Sequence, residues 1–129
     1  MPIVTALYAG LLGLISIGVA FPAGSLRGKL NVPVGDGGNR DLLLAMRRHA
    51  NFVEWAPLAL LLIAILEMNG ASTRGIHALG AALVVARILH AFGIRADTMK
   101  RVERFTGASV TALVTAVASV WLIVVFVQR

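Results

Sequence analysis

Cysteine is absent from the 129 residues. Its absence excludes disulfides, thiolate metal ligands and a cysteine nucleophile. Any thiol chemistry must use a thiol brought by a ligand. Charge is scarce too: Asp, Glu, Lys and Arg together make up 14% of the chain, and only 6 residues are acidic. A water-soluble protein this small needs more polar surface than that. No internal repeat and no low-complexity segment stands out. What fills the sequence is apolar, 58% of it, above the roughly 45–50% of soluble domains. The chain therefore reads as one integral membrane domain over residues 1–129, an all-α bundle of four transmembrane helices. A net charge of +6 and a pI near 11.4 would point a soluble protein toward nucleic acid. Here no nucleic-acid partner is expected, because basic residues beside membrane helices set orientation and meet anionic lipid.

Four apolar runs carry that reading. About 20 apolar residues span a bilayer core. The first run carries no charge from Met1 to Leu26 and supplies a helix over 3–22, closed by Pro22 and Gly24. It lacks a basic n-region and is too long for a cleavable signal peptide. The second helix covers 41–68, with Asn39 or Asp41 as N-cap and Asn69-Gly70 as its stop. The third covers 74–94 and the fourth 105–127. Arg27, Lys29 and Arg40 lie in the first loop, and Arg95, Lys100, Arg101 and Arg104 in the third, against only Arg74 in the second. The positive-inside rule then places loops one and three in the cytoplasm and both termini in the periplasm.

Ionisable groups inside membrane helices are costly and are functional candidates by default. Helix two carries Arg47, Asn51 and Glu54 at i, i+4 and i+7, on one face. Helix three carries Arg87 and His90 at i and i+3. A short loop makes these helices antiparallel neighbours. Counted from that loop, Glu54 and Arg87 share one depth, as do Asn51 and His90. The expectation is a buried Glu54–Arg87 ion pair within the subunit, since a lone buried charge costs far more than a paired one. Such a pair can serve only as a clamp between helices, and Arg47 and Arg48 taken alone read as arginines snorkelling to headgroups. Together, these residues make a cationic pocket with one carboxylate and one amide near the cytoplasmic side. Arginine forks take carboxylates in bidentate fashion, Asn51 can donate and accept, and Glu54 can receive an ammonium group. The pocket suits a small, mainly anionic ligand.

The segment Arg47-Arg48-His49-Ala50-Asn51-Phe52-Val53-Glu54, followed by Pro57, resembles the helix-two signature of the MAPEG family, the membrane-associated proteins in eicosanoid and glutathione metabolism. Ala86-Arg87-Ile88-Leu89-His90 resembles its helix-three signature, and Val34-Gly35-Asp36-Gly37-Gly38-Asn39 is similar to the first loop of its short bacterial inner-membrane branch. The resemblance covers nearly the whole chain. It implies a homotrimer with glutathione bound as co-substrate between subunits, near the cytoplasmic face, and hydrophobic small-molecule substrates arriving from the bilayer. It implies glutathione-binding roles for Arg47, Asn51, Glu54, Arg87 and His90, with His49 beside the site. It also implies that an arginine at the start of helix four stabilises the thiolate. Arg104 is the nearest match and Arg101 the alternative. The chain departs from the family pattern at Ala50 and Ser25, and no tyrosine follows His90.

The expected function is a glutathione-dependent membrane transferase or peroxidase acting on hydrophobic electrophiles. The alternative is a non-catalytic relative that binds a lipid or an anionic metabolite. A small multidrug exporter fits less well, because such exporters use a carboxylate in helix one and this helix one has no charge. Gly35-Asp36-Gly37-Gly38 lacks the Lys-Ser/Thr of a phosphate loop and reads as a turn into a helix cap. His49, His77 and His90 lack metal-site spacing, so no metal is expected.

Overall fold

The computed structural model describes residues 1–95 and 102–128. It consists of four helices: α1 (Ile3–Leu30), α2 (Arg40–Met68), α3 (Thr73–Gly93) and α4 (Val102–Val127). Each is long and apolar enough to cross a membrane. The outward faces are largely apolar, with Leu14, Ile17 and Phe21 on α1 and Val120 and Ile123 on α4 exposed. The chain is an all-helical integral membrane protein.

The helix starts obey local chemistry. Asn39 caps α2, its Oδ1 accepting from the backbone of Asp41 at 3.0 Å and of Leu42 at 2.9 Å. Ser72 caps α3 by accepting from Gly75 N. The expected end of the first helix at residue 22 is corrected: α1 continues through Pro22 to Leu30 and closes on Asn31 in the left-handed region. Pro22 removes one backbone hydrogen bond, yet the remaining ladder carries the helix, and membrane helices accommodate proline. The extension places Arg27 and Lys29 on the last turn of α1, where cations favour the helix dipole. Arg27 then ties the following loop, donating to Val32 O at 3.2 Å.

Packing sets the helices in a diamond. α2 and α3 touch each other and both flanking helices, except that α1 meets α2 and α3 only, and α4 meets α3 and α2 only. Among the described residues α1 and α4 do not meet. The core between them holds Leu12, Phe52, Ala59, Ile63, Leu83 and Val114. In lipid the apolar effect does not drive helices together, so close approach at small residues matters more. Gly80 lies under the Tyr8 ring, Gly75 under Trp121, Gly93 against the Arg104 backbone and Gly107 against Ala86 O and His90. At the end away from the basic loops, the Glu67 carboxylate accepts from Val4 N, Thr5 N and Thr5 Oγ1 at 2.6–2.8 Å. It thereby caps the start of α1. Nearby, the Tyr8 hydroxyl joins His77 Nδ1 at 2.8 Å.

Candidate functional site

The basic end of the diamond holds a cleft among α2, α3 and α4. Two glycines bring its walls together. Gly93 and Gly107 have no side chain to hold α3 and α4 apart, so the first turn of α4 rests on the end of α3. That contact sets Arg104 beside the last turns of α3. The resulting cleft is about 270 Å³ and is lined by Arg40, Leu43, Leu44, Arg47, Asn51, His90, Ile94, Arg95 and Arg104. Among the described residues, four arginines and no carboxylate line it. The expected residues Arg47, Asn51, His90 and Arg104 are thus gathered in one place.

A second groove continues from the first. It measures about 350 Å³ and shares Asn51 and His90 with the cleft. Its other walls are Trp55 and Arg87 with Phe105, Ala108, Ser109 and Ala112 of α4. Trp55, Phe105, Ala108, Ser109 and Ala112 are exposed on the outside of the bundle. The arrangement is a polar, cationic compartment joined through Asn51 and His90 to an apolar one on the outer face.

Among the described residues Arg87 is the most deeply placed charge, 2% exposed. It does not pair with Glu54. Its Nη1 donates to Asn51 Oδ1 at 3.1 Å and to Asn51 O at 3.4 Å, while its Nε has no partner among the described residues. The expected Glu54–Arg87 pair within the subunit is therefore corrected. Matching depth did not imply matching direction. Three residues turn a helix by about 300°, so Glu54 stands about 60° round from Asn51. That rotation is enough to move it from the α2–α3 seam to the exposed surface. Among the described residues Glu54 has no ion-pair partner. His49 is half-buried on α2 and does not line the cleft or the groove. Arg101, the alternative to Arg104, lies outside the described residues.

The cleft contains residues that the sequence reading passed over. Arg40 lies seven residues before Arg47 and so shares its face, a spacing that could have flagged it. Arg95 follows His90 at the end of α3 but needed the helix end to be known. Arg48 was read as an interfacial arginine; it also fastens the end of α3, donating from Nε at 3.1 Å and Nη2 at 2.8 Å to Ile94 O.

The model of the MAPEG family matches residues 5–124. The inner membrane protein YecN of Escherichia coli K12 is 36% identical over 121 residues, covering 92% of this chain and 91% of the relative. YecN of Escherichia coli O6:H1 strain CFT073 matches at the same identity and coverage. No solved structure gives a significant match.

Proposed function

The chain belongs to the MAPEG family, and on that premise we propose that it is a glutathione-dependent transferase or peroxidase of the bacterial inner membrane, acting on hydrophobic electrophiles. The observation that carries this reading is the joined pair of compartments. The cationic cleft suits the two carboxylates of glutathione, and the apolar groove sharing Asn51 and His90 suits a lipophilic co-substrate. Arg47 and the neighbouring arginines of the cleft receive the carboxylates, Arg87 holds Asn51 at the junction with the groove, Asn51 and His90 hydrogen-bond the peptide, and Arg104 faces the thiol. With no cysteine in the chain, activation of the thiol is electrostatic. A guanidinium within about 4–6 Å lowers an acid's pKa by roughly 1–3, and each tenfold gain in thiolate corresponds to about 1.4 kcal/mol. The thiolate then bonds to the electrophilic centre as the leaving group departs with its electron pair.

In this reading the protein works as a homotrimer. Glu54 supplies the support. It lies 14 residues before Met68, about 21 Å along the helix at 1.5 Å per residue, so it sits within hydrocarbon about 30 Å thick. A carboxylate exposed to lipid at such depth is costly, on the order of 2.5–3.5 kcal/mol at the membrane centre. A neighbouring subunit covers it, and glutathione bound at that junction gives Glu54 an ammonium partner. The basic end faces the cytoplasm, and both termini face the periplasm.

Calorimetry with glutathione on detergent-purified protein tests binding, and ultraviolet difference absorption tests thiolate formation. Wild type should bind glutathione and show a thiolate band; Arg104→Ala should lose the band, whereas Arg101→Ala should retain it. A band equal to wild type in both variants removes the arginine-activation mechanism. Failure of wild type to bind millimolar glutathione removes the enzyme reading in favour of a binder of lipid or anionic metabolite.

A further inference from the structure

The α1 side of the diamond carries a separate groove. It lies between α1 and α3, measures about 390 Å³, and is walled by Ile15, Val19 and Pro22 on one side and Ile88 and Phe92 on the other. Gly18 forms part of its floor, and a Cβ there would meet nothing within 4 Å. From Ile15 to Pro22 is seven residues, about 10 Å of helix. The groove is apolar along that length and then changes character at one end, where Arg48 completes the lining.

The level of Arg48 follows from its position on α2. Twenty residues separate it from Met68, about 30 Å at the helical rise, which is one full hydrocarbon thickness. The guanidinium therefore stands where the acyl region gives way to headgroups. Two of its nitrogens hold Ile94 O, and a guanidinium has five N–H donors. Donors on Nη1 remain for an anion. The same face of α1 continues with a cation: Lys29 follows Pro22 by seven residues and is exposed.

We propose that this α1–α3 groove is a binding site for an anionic phospholipid, one acyl chain lying along Ile15–Pro22 and the phosphate at Arg48. The occupant follows from charge complementarity: apolar at hydrocarbon depth, cationic at headgroup depth, with no carboxylate among the described residues of the lining. The site is distinct from the cleft, which lies across α2 and α3. It is connected to the cleft through one atom, because the carbonyl that Arg48 holds belongs to Ile94, and Ile94 lines the cleft. A phosphate on Arg48 would hold that guanidinium in place and with it the end of α3. The proposal does not depend on glutathione.

Native mass spectrometry of the full chain in mild detergent tests it, with phosphatidylglycerol and phosphatidylcholine of identical acyl chains as probes and glycerol phosphate as the headgroup control. Wild type should retain phosphatidylglycerol roughly five- to thirtyfold better than phosphatidylcholine, as expected for one or two basic side chains at a surface, and should not retain glycerol phosphate. Arg48→Gln should lose the preference. Because Arg48 also fastens α3, the second variant is Gly18→Leu, which fills the groove without touching Arg48 and should remain helical by circular dichroism. It should lose phosphatidylglycerol. Equal retention of the two lipids by wild type overturns the proposal. So does undiminished phosphatidylglycerol on Gly18→Leu, which would assign the attraction to the basic surface as a whole. Retention of glycerol phosphate alone overturns the lipid assignment in favour of a soluble phosphate ligand.

Discussion

Arg87 and Asn51 should behave as one energetic unit. Arg87 is buried, donates twice to Asn51 and leaves Nε without a partner among the described residues. The relevant perturbation is a double-mutant cycle of Asn51→Leu and Arg87→Met. Asn51→Leu removes the 3.1 Å acceptor and leaves the weaker 3.4 Å contact to the backbone oxygen. Interhelical hydrogen bonds in membranes contribute on average about 0.6 kcal/mol and up to about 1–2 kcal/mol. A charged donor belongs at the upper end, so Asn51→Leu should cost about 1–2 kcal/mol. Arg87→Met removes the buried charge itself and substitutes apolar volume, which often costs little. The double variant should then be more stable than the sum of the two single losses by about 1–2 kcal/mol. Unfolding by sodium dodecyl sulfate in mixed micelles, followed by helical ellipticity, measures all four corners. If the single losses add within about 0.3–0.5 kcal/mol, the range for independent sites, then Asn51 does not stabilise Arg87 and the seam is held by something else. Ligand binding separates structure from function: Arg87→Met should fold and yet lose glutathione.

Further outcomes follow from other contacts. Gly107→Ala would place a Cβ 2.6 Å from Ala86 O and His90 N; overpacking of that kind costs typically about 1–3 kcal/mol, whereas Gly10→Ala, with nothing within 4 Å, should unfold at the wild-type denaturant midpoint or above it. Glu67→Ala should speed amide exchange at Val4 and Thr5 several-fold while leaving the middle of α1 protected, because the carboxylate caps only the first turn. Asp36→Cys should react with membrane-impermeant maleimide only from the cytoplasmic side; labelling only from the periplasm would reverse the orientation. Glu54→Gln should leave the isolated bundle's helicity unchanged and weaken both the trimer and glutathione binding, read by detergent-corrected light scattering and calorimetry; unchanged assembly and binding would remove Glu54 from the intersubunit site.

The residues themselves determined the class of this protein and much of its local structure. Four long apolar runs leave a bilayer as the only solvent that fits them. Asn39 starts α2 because its short side chain satisfies the first free amides, a property that needs no distant partner. The polar groups inside helices two and three were legible for a similar reason, since each is costly wherever the helix is placed in lipid. Distance and rotation were another matter. Periodicity put Arg47, Asn51 and Glu54 on one face, yet a face is wide, and only packing against α3 decided that Asn51 meets Arg87 while Glu54 turns outward. Pro22 read as a stop, and only the continuing ladder of α1 showed that one lost hydrogen bond is tolerable. Glu67 reaches Val4 and Thr5 across more than 60 residues of chain, Arg48 holds Ile94, and Gly93 and Gly107 admit the backbone that brings Arg104 to the cleft. Those partners come from different helices, and a one-dimensional pattern has no term for how helices rotate and press together. That term is the tertiary structure's own, because close approach depends on which small residue meets which neighbour.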